Sequence, residues 1–156
     1  MVCVHLTLLF GITTMGLSDG NWTAPAAPMA QSAVFELPPF QGSAEARFVR
    51  SDPPYEFIHL TGLATHFGAF EGMRTVRNMG RTTVATTTLA GAGGDSISIY
   101  SEITWDKHFL KASGFFVVTD GTGRFQDATG YGVESVGPFD PAIGARTLAW
   151  DGFLDF

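Results

Sequence analysis

Gly121-Thr122-Gly123-Arg124-Phe125-Gln126-Asp127-Ala128-Thr129-Gly130 decides how this chain is read. It follows an apolar run, Gly114-Phe115-Phe116-Val117-Val118, and precedes a second strand-like run, Tyr131 to Val136. Glycine tolerates positive φ and lets a chain reverse sharply. The Arg-Phe-Gln-Asp-Ala segment between the glycines has room for one helical turn but not for a helix. The stretch predicts a structured connection between two β-strands, with Phe125 as a plug against the end of a barrel or sandwich. Arg124 and Asp127 are close enough in it to form a structural ion pair, with an anion site as the alternative.

The flanking chain carries the same character outward. Of 156 residues, 45% are hydrophobic and 15% charged, with 19 Gly and 8 Pro as punctuation. The charged share is well below the roughly 25% usual for soluble domains, so Thr, Ser and Gly cover much of the surface, which suits strands. Ser96 to Thr104 alternates, with Ile97, Ile99 and Ile103 on one face and Ser98, Tyr100 and Glu102 on the other. Thr82 to Ala90 is β-branched. Ala145 to Phe156 places Leu148, Trp150, Leu154 and Phe156 together, opposite Asp151 and Asp155.

Earlier in the chain, Ala33 to Leu37 reads as a short first strand stopped by Pro38-Pro39, and Ser43 to Arg50 as the next. Tyr55 to Met73 reads as one long extended stretch bent at its glycines, Arg74 to Arg81 as a polar loop, and Gly137 to Pro141 as another. No segment holds helical periodicity over three turns. The expectation is an all-β chain, a closed antiparallel barrel of about eight strands in a single domain, with a jelly-roll sandwich as the alternative. Closure removes the exposed edge of the terminal strand.

Residues 1–30 read as a leader and 31–156 as the barrel. Val2 to Leu17 is apolar but shorter than the roughly 20 residues of a membrane span, so no stable span is expected. It resembles the centre of a signal peptide, with Ala24 to Ala30 as the cleavage region, although no Lys or Arg precedes it. Secretion or another export route is the expectation, and a cytoplasmic chain with a disordered leader the alternative. Asn21-Trp22-Thr23 fits a glycosylation acceptor near the cut. Cys3 is the only cysteine, so neither an intramolecular disulfide nor a thiolate metal site can form.

The formal net charge of −6, with no run of Lys and Arg, argues against nucleic acid or an anionic membrane surface as partner. Gly121-x-Gly123 lacks the third glycine and the following helix of a dinucleotide loop. No Gly-x-Ser-x-Gly elbow occurs. His59, His66 and His108, with Glu71 or Glu102, have no recognised metal-ligand spacing, so neither metal nor cofactor is expected.

The turn Gly-Thr-Gly-x-Phe-x-x-Ala-x-Gly over 121–130 resembles a signature of the allene oxide cyclase-like barrel superfamily, dirigent proteins included. Gly62 to Phe70 looks like a segment of small exported bacterial β-proteins of that type. The resemblance implies an eight-stranded barrel that binds a hydrophobic small molecule, or a cofactor-free cyclase or isomerase acting by pocket shape. A filled, purely structural barrel is the third reading. Tyr100, Glu102 and His66 are the polar candidates for catalysis if their faces line the lumen. Otherwise Tyr100 and Glu102 are exterior residues and His66 bonds a neighbouring strand. Trp105, Phe116 and Trp150 are candidate ligand contacts, with core or barrel-end packing as the alternative. A homo-oligomer fits the same sequence.

Overall fold

A computed structural model describes residues 37–156, so the leader, Cys3, the glycosylation motif and residues 33–36 of the expected first strand lie outside the described residues. Eight antiparallel strands close into one barrel in chain order. They are β1 (Pro39–Asp52), β2 (Tyr55–Ala64), β3 (Gly68–Met79), β4 (Thr82–Gly91), β5 (Ser96–Trp105), β6 (Ala112–Thr122), β7 (Thr129–Asp140) and β8 (Ala145–Asp155). β1 closes the sheet on β8, with pairs running from Pro39↔Phe153 to Ala46↔Arg146. Among the described residues no strand is left with an unpaired edge to template aggregation.

The strand count matches the expectation, but four boundaries move. Pro39 opens β1, and a proline is tolerated at a strand's first residue. Tyr55 to Met73 is not one bent strand: Thr65, His66 and Phe67 turn the chain, and His66 and Gly68 take φ of +68° and +70°. The segment Arg74 to Arg81 is not a loop. It continues β3 to Met79, because Phe70, Gly72, Arg74 and Val76 hold the period-two alternation that places all four inside. Gly137 to Asp140 likewise belongs to β7, beyond a register shift between Val136 and Phe139.

Consecutive hairpins fall at alternate ends of such a meander. The β2–β3, β4–β5 and β6–β7 connections share one end, and that end is plugged. Gly123 to Phe125 form a single 3-10 turn, and Phe125 is fully buried. Its ring stacks on Phe67 at 4.3 Å and 11°, and meets Phe156 edge-on at 5.0 Å. Such pairs add ~0.5–1.5 kcal/mol each beyond burial. The glycines are sterically required. Gly123 has φ +63°, and a Cβ there would lie 1.9 Å from Asp95 Oδ1, while one on Gly121 would lie 2.0 Å from the Phe125 carbonyl oxygen. Arg124 pairs with Asp95 at 3.1 Å rather than with Asp127, because the turn aims it across to the β4–β5 connection. Behind the plug, Phe40, Leu60, Leu89, Ile97, Phe116 and Leu154 fill the lumen.

Candidate functional site

The other half of the barrel is built differently. Inward alternation carries Thr87 of β4, Ser101 of β5, Glu134 of β7 and Arg74 of β3 into the lumen, where all four are buried. Arg74 Nη1 donates to Glu134 Oε2 at 3.2 Å and to Thr87 Oγ1 at 3.1 Å. Glu134 Oε2 also accepts from Ser101 Oγ at 2.5 Å and from Trp150 Nε1 at 3.1 Å. Glu134 Oε1 lies 2.6 Å from Arg74 Nη2, but off-axis, so the contact is coulombic and that oxygen has no aligned donor. An isolated buried carboxylate would be prohibitively costly. Three donors, one of them the Arg74 guanidinium, make this one tolerable. A buried pair of this kind adds little net stability over apolar residues of similar volume. Its chemical consequence is a fixed, charged, hydrogen-bonding floor.

Through Arg74 that floor borders a cavity of about 150 Å³ opening toward the unplugged end, with Glu56 and Arg146 as the other charged residues of its lining. Ile58, Val76, Ile103, Val136 and Leu148 make its apolar wall, and Phe48 and Phe139 its rim. Trp105 closes one side: its Nε1 donates to Thr83 Oγ1 at 2.9 Å, and the Arg146 guanidinium lies 4.9 Å from its ring. Arg146 Nη1 in turn donates to the carbonyls of Leu110 and Gly137, both at 3.1 Å. Asp106 orders the β5–β6 loop beside this mouth. Its Oδ1 accepts from the backbone N–H of Leu110 at 2.9 Å and of His108 at 3.1 Å, and the Leu110 bond holds its carboxyl below the ordinary range.

The residues singled out from sequence fall in separate places. Tyr100 and Glu102 lie on the outer face of β5, since Ile99, Ser101 and Ile103 take the inner one. Neither reaches the cavity. His66 sits in the β2–β3 turn at the plugged end, its Nε2 3.1 Å from the Pro39 carbonyl and its ring edge-on to Phe156. Phe116 is in the packed half, edge-on to Phe40. Trp150 bonds the floor, and Trp105 alone of the six lines the cavity. His59 faces outward beside Glu71 at 4.0 Å, His108 lies in the β5–β6 loop, and the three histidines are not brought together.

Sequence reasoning missed Arg74 and Glu134. The signal for Arg74 was the unbroken Phe70-x-Gly72-x-Arg74-x-Val76 alternation. For Glu134 it was the inward row Gly130-x-Gly132-x-Glu134-x-Val136, concealed because Tyr131 and Val133 on the other row look more like core. No protein-family model, characterised protein or solved structure matches the chain, and function is read from the geometry alone.

Proposed function

We propose that this barrel binds a small, largely apolar molecule in its unplugged half, seated on the Arg74–Glu134 floor. One observation carries the reading: an apolar cavity ends on a buried guanidinium whose hydrogen-bonding capacity is not exhausted. Arginine has five N–H donors. The Thr87 and Glu134 oxygens take both N–H groups of Nη1, and Nη2 meets Glu134 only off-axis, which leaves Nε–H and Nη2 without an aligned acceptor among the described residues. A ligand with one carbonyl, hydroxyl or carboxylate oxygen suits that floor.

Size narrows the class. Pockets for drug-sized ligands run to ~300–1,000 Å³. A cavity of about 150 Å³ with a mostly apolar lining takes a benzene-sized body. The occupant is thus a single ring or a short branched chain, or the end of a longer molecule whose remainder leaves past Phe48 and Phe139. The cyclase reading loses the Tyr100 and Glu102 guides it relied on, since both face outward.

The test uses p-cresol and toluene as probes, followed by thermal shift and by Trp fluorescence. Saturable stabilisation is expected for both, tighter for p-cresol because its hydroxyl can meet Arg74. A ligand at a hundredfold its Kd stabilises by about 2.7 kcal/mol. Val76→Phe, which fills the cavity, should abolish both signals without unfolding the protein. Absence of any saturable shift with either probe refutes the reading.

A further inference from the structure

We propose that the unplugged end docks on an anionic lipid surface, so that the cavity mouth opens onto lipid. Absence of a run of Lys and Arg argues against such a partner only if charge stays where the sequence puts it. The fold gathers it. Of nine Lys and Arg side chains, Arg74 is buried and Arg124 lies at the plugged end, which leaves seven, all in the unplugged half. Divided at the strand midpoints, that half sets these seven against five acids, the exposed Asp52, Glu102 and Asp140 and the half-buried Glu56 and Asp106, for a net +2. The plugged half sets Arg124 against seven acids, from Glu45 to Asp155, for a net −6. A net-acidic chain is therefore polar along its barrel axis.

Apolar side chains crowd the same end. The β1–β2 hairpin exposes Phe48 (62%) and Tyr55 beside Arg47 and Arg50. β3–β4 exposes Met79 between Arg77 and Arg81. The β5–β6 loop exposes Phe109 (49%) and Leu110 between Lys107 and Lys111. β7–β8 exposes Phe139 and Ile143 next to Arg146. Every hairpin at this end thus pairs apolar with basic residues around one apolar mouth. Phe109 is held at φ +56°, uncommon for an aromatic, with its ring toward solvent. Of these cations only Arg47 forms an ion pair among the described residues, with Glu45 at 2.8 Å. Arg81 and Arg146 bond carbonyls, which leaves their charge uncancelled.

Anionic headgroups complement the charge, and the acyl boundary accepts the apolar tips, the two signals that reversible surface binding combines. A purely electrostatic polyanion would leave the apolar set unexplained. A second copy presenting the same end would set like charge against like. Docking stands on this surface alone; only the consequence that ligand enters from lipid rests on the cavity reading.

The test sediments the full chain with phosphatidylcholine vesicles, with and without phosphatidylserine. Binding to the anionic vesicles, its loss in high salt and little binding to neutral ones are expected. Each basic side chain near an anionic leaflet is worth about fivefold, so K107Q/K111Q should bind about twenty-five-fold more weakly. F109N/L110S, with Asn suited to the positive φ, should lose on the order of tenfold. F153S, on the outer face of β8, should bind as wild type. The apolar run Val2 to Leu17 is common to every variant, so the differences read the barrel end. Equal binding to both vesicle types, or a K107Q/K111Q protein that binds as wild type, overturns the proposal. Sensitivity to K107Q/K111Q without sensitivity to F109N/L110S overturns it in favour of a soluble polyanion. Failure of p-cresol to bind removes the cavity reading and leaves these vesicle results to decide docking.

Discussion

Glu134 is the residue on which the unplugged half depends. It is fully buried and accepts from Arg74, Ser101 and Trp150 through a single oxygen. Removing its charge leaves the Arg74 guanidinium in a low-dielectric lumen without a counter-charge. Breaking one partner of a buried pair typically costs ~3–5 kcal/mol, while replacing both by apolar residues of similar volume is often neutral or stabilising. Glu134→Ala should therefore lower the unfolding free energy by an amount in that range, seen as a lower urea midpoint at an unchanged denaturant slope. The double variant Arg74→Met with Glu134→Leu should recover most of the loss and still fail to favour p-cresol over toluene. A double variant as unstable as the single one would mean that the pair holds the barrel together, not that it serves as a floor. Neither residue was legible as a site in the sequence. Charge at a strand position reads as solvent-facing by default, and the partners stand 60 residues apart, joined only once β3 and β7 are wrapped onto one lumen.

At the scale of the element, legibility is better where local sterics decide the outcome. The Gly121 to Gly130 connection was readable because its glycines and Phe125 act within one turn, and the structure supplies the reason for each: the close approaches of Asp95 and the Phe125 carbonyl. The alternation of β5 was readable because isoleucine and polar residues strictly take turns. The β2–β3 boundary was not. His66 turns the chain at φ +68°, and positive φ is a minority conformation even for histidine, so an apolar stretch around it reads as continuous strand. The plug itself has a measurable weight. Phe125 is fully buried between Phe67 and Phe156, and deleting a buried phenylalanine side chain typically costs ~3–5 kcal/mol. Phe125→Ala should destabilise by that much in urea unfolding while p-cresol affinity, read after correction for the unfolded fraction, stays near wild type, because the cavity lies at the opposite end. A comparable loss of affinity would show that the two ends are coupled through the packed lumen.

For the whole molecule, closure is the property from which the rest follows. Eight strands in chain order leave no crossover, so each strand's neighbours are its sequence neighbours except where β1 meets β8. That last pairing runs over Pro39↔Phe153 to Ala46↔Arg146, and the Leu154 N–H also reaches the Pro38 carbonyl at 3.0 Å. In a closed meander the strand that comes first in the chain has no special thermodynamic role. The break between β8 and β1 can move to an exposed hairpin at the cost of one loop, since permutation is tolerated where backbone is exposed and the joined ends lie close together. A permutant of residues 37–156 that starts at Ile143, joins Phe156 to Leu37 through a short Gly/Ser linker and ends at Ala142 should form the same barrel. Its stability should lie within about 1–2 kcal/mol of the parent on the scale of single perturbations, with one cooperative transition and an elution volume unchanged from that of the parent. Truncation after Gly144 is the contrasting case. It removes β8 and leaves β1 and β7 as unpaired edges, and an exposed edge templates association. That protein should elute as aggregate. Stability lost equally in permutant and truncation would mean that the order of synthesis, rather than closure, holds the fold.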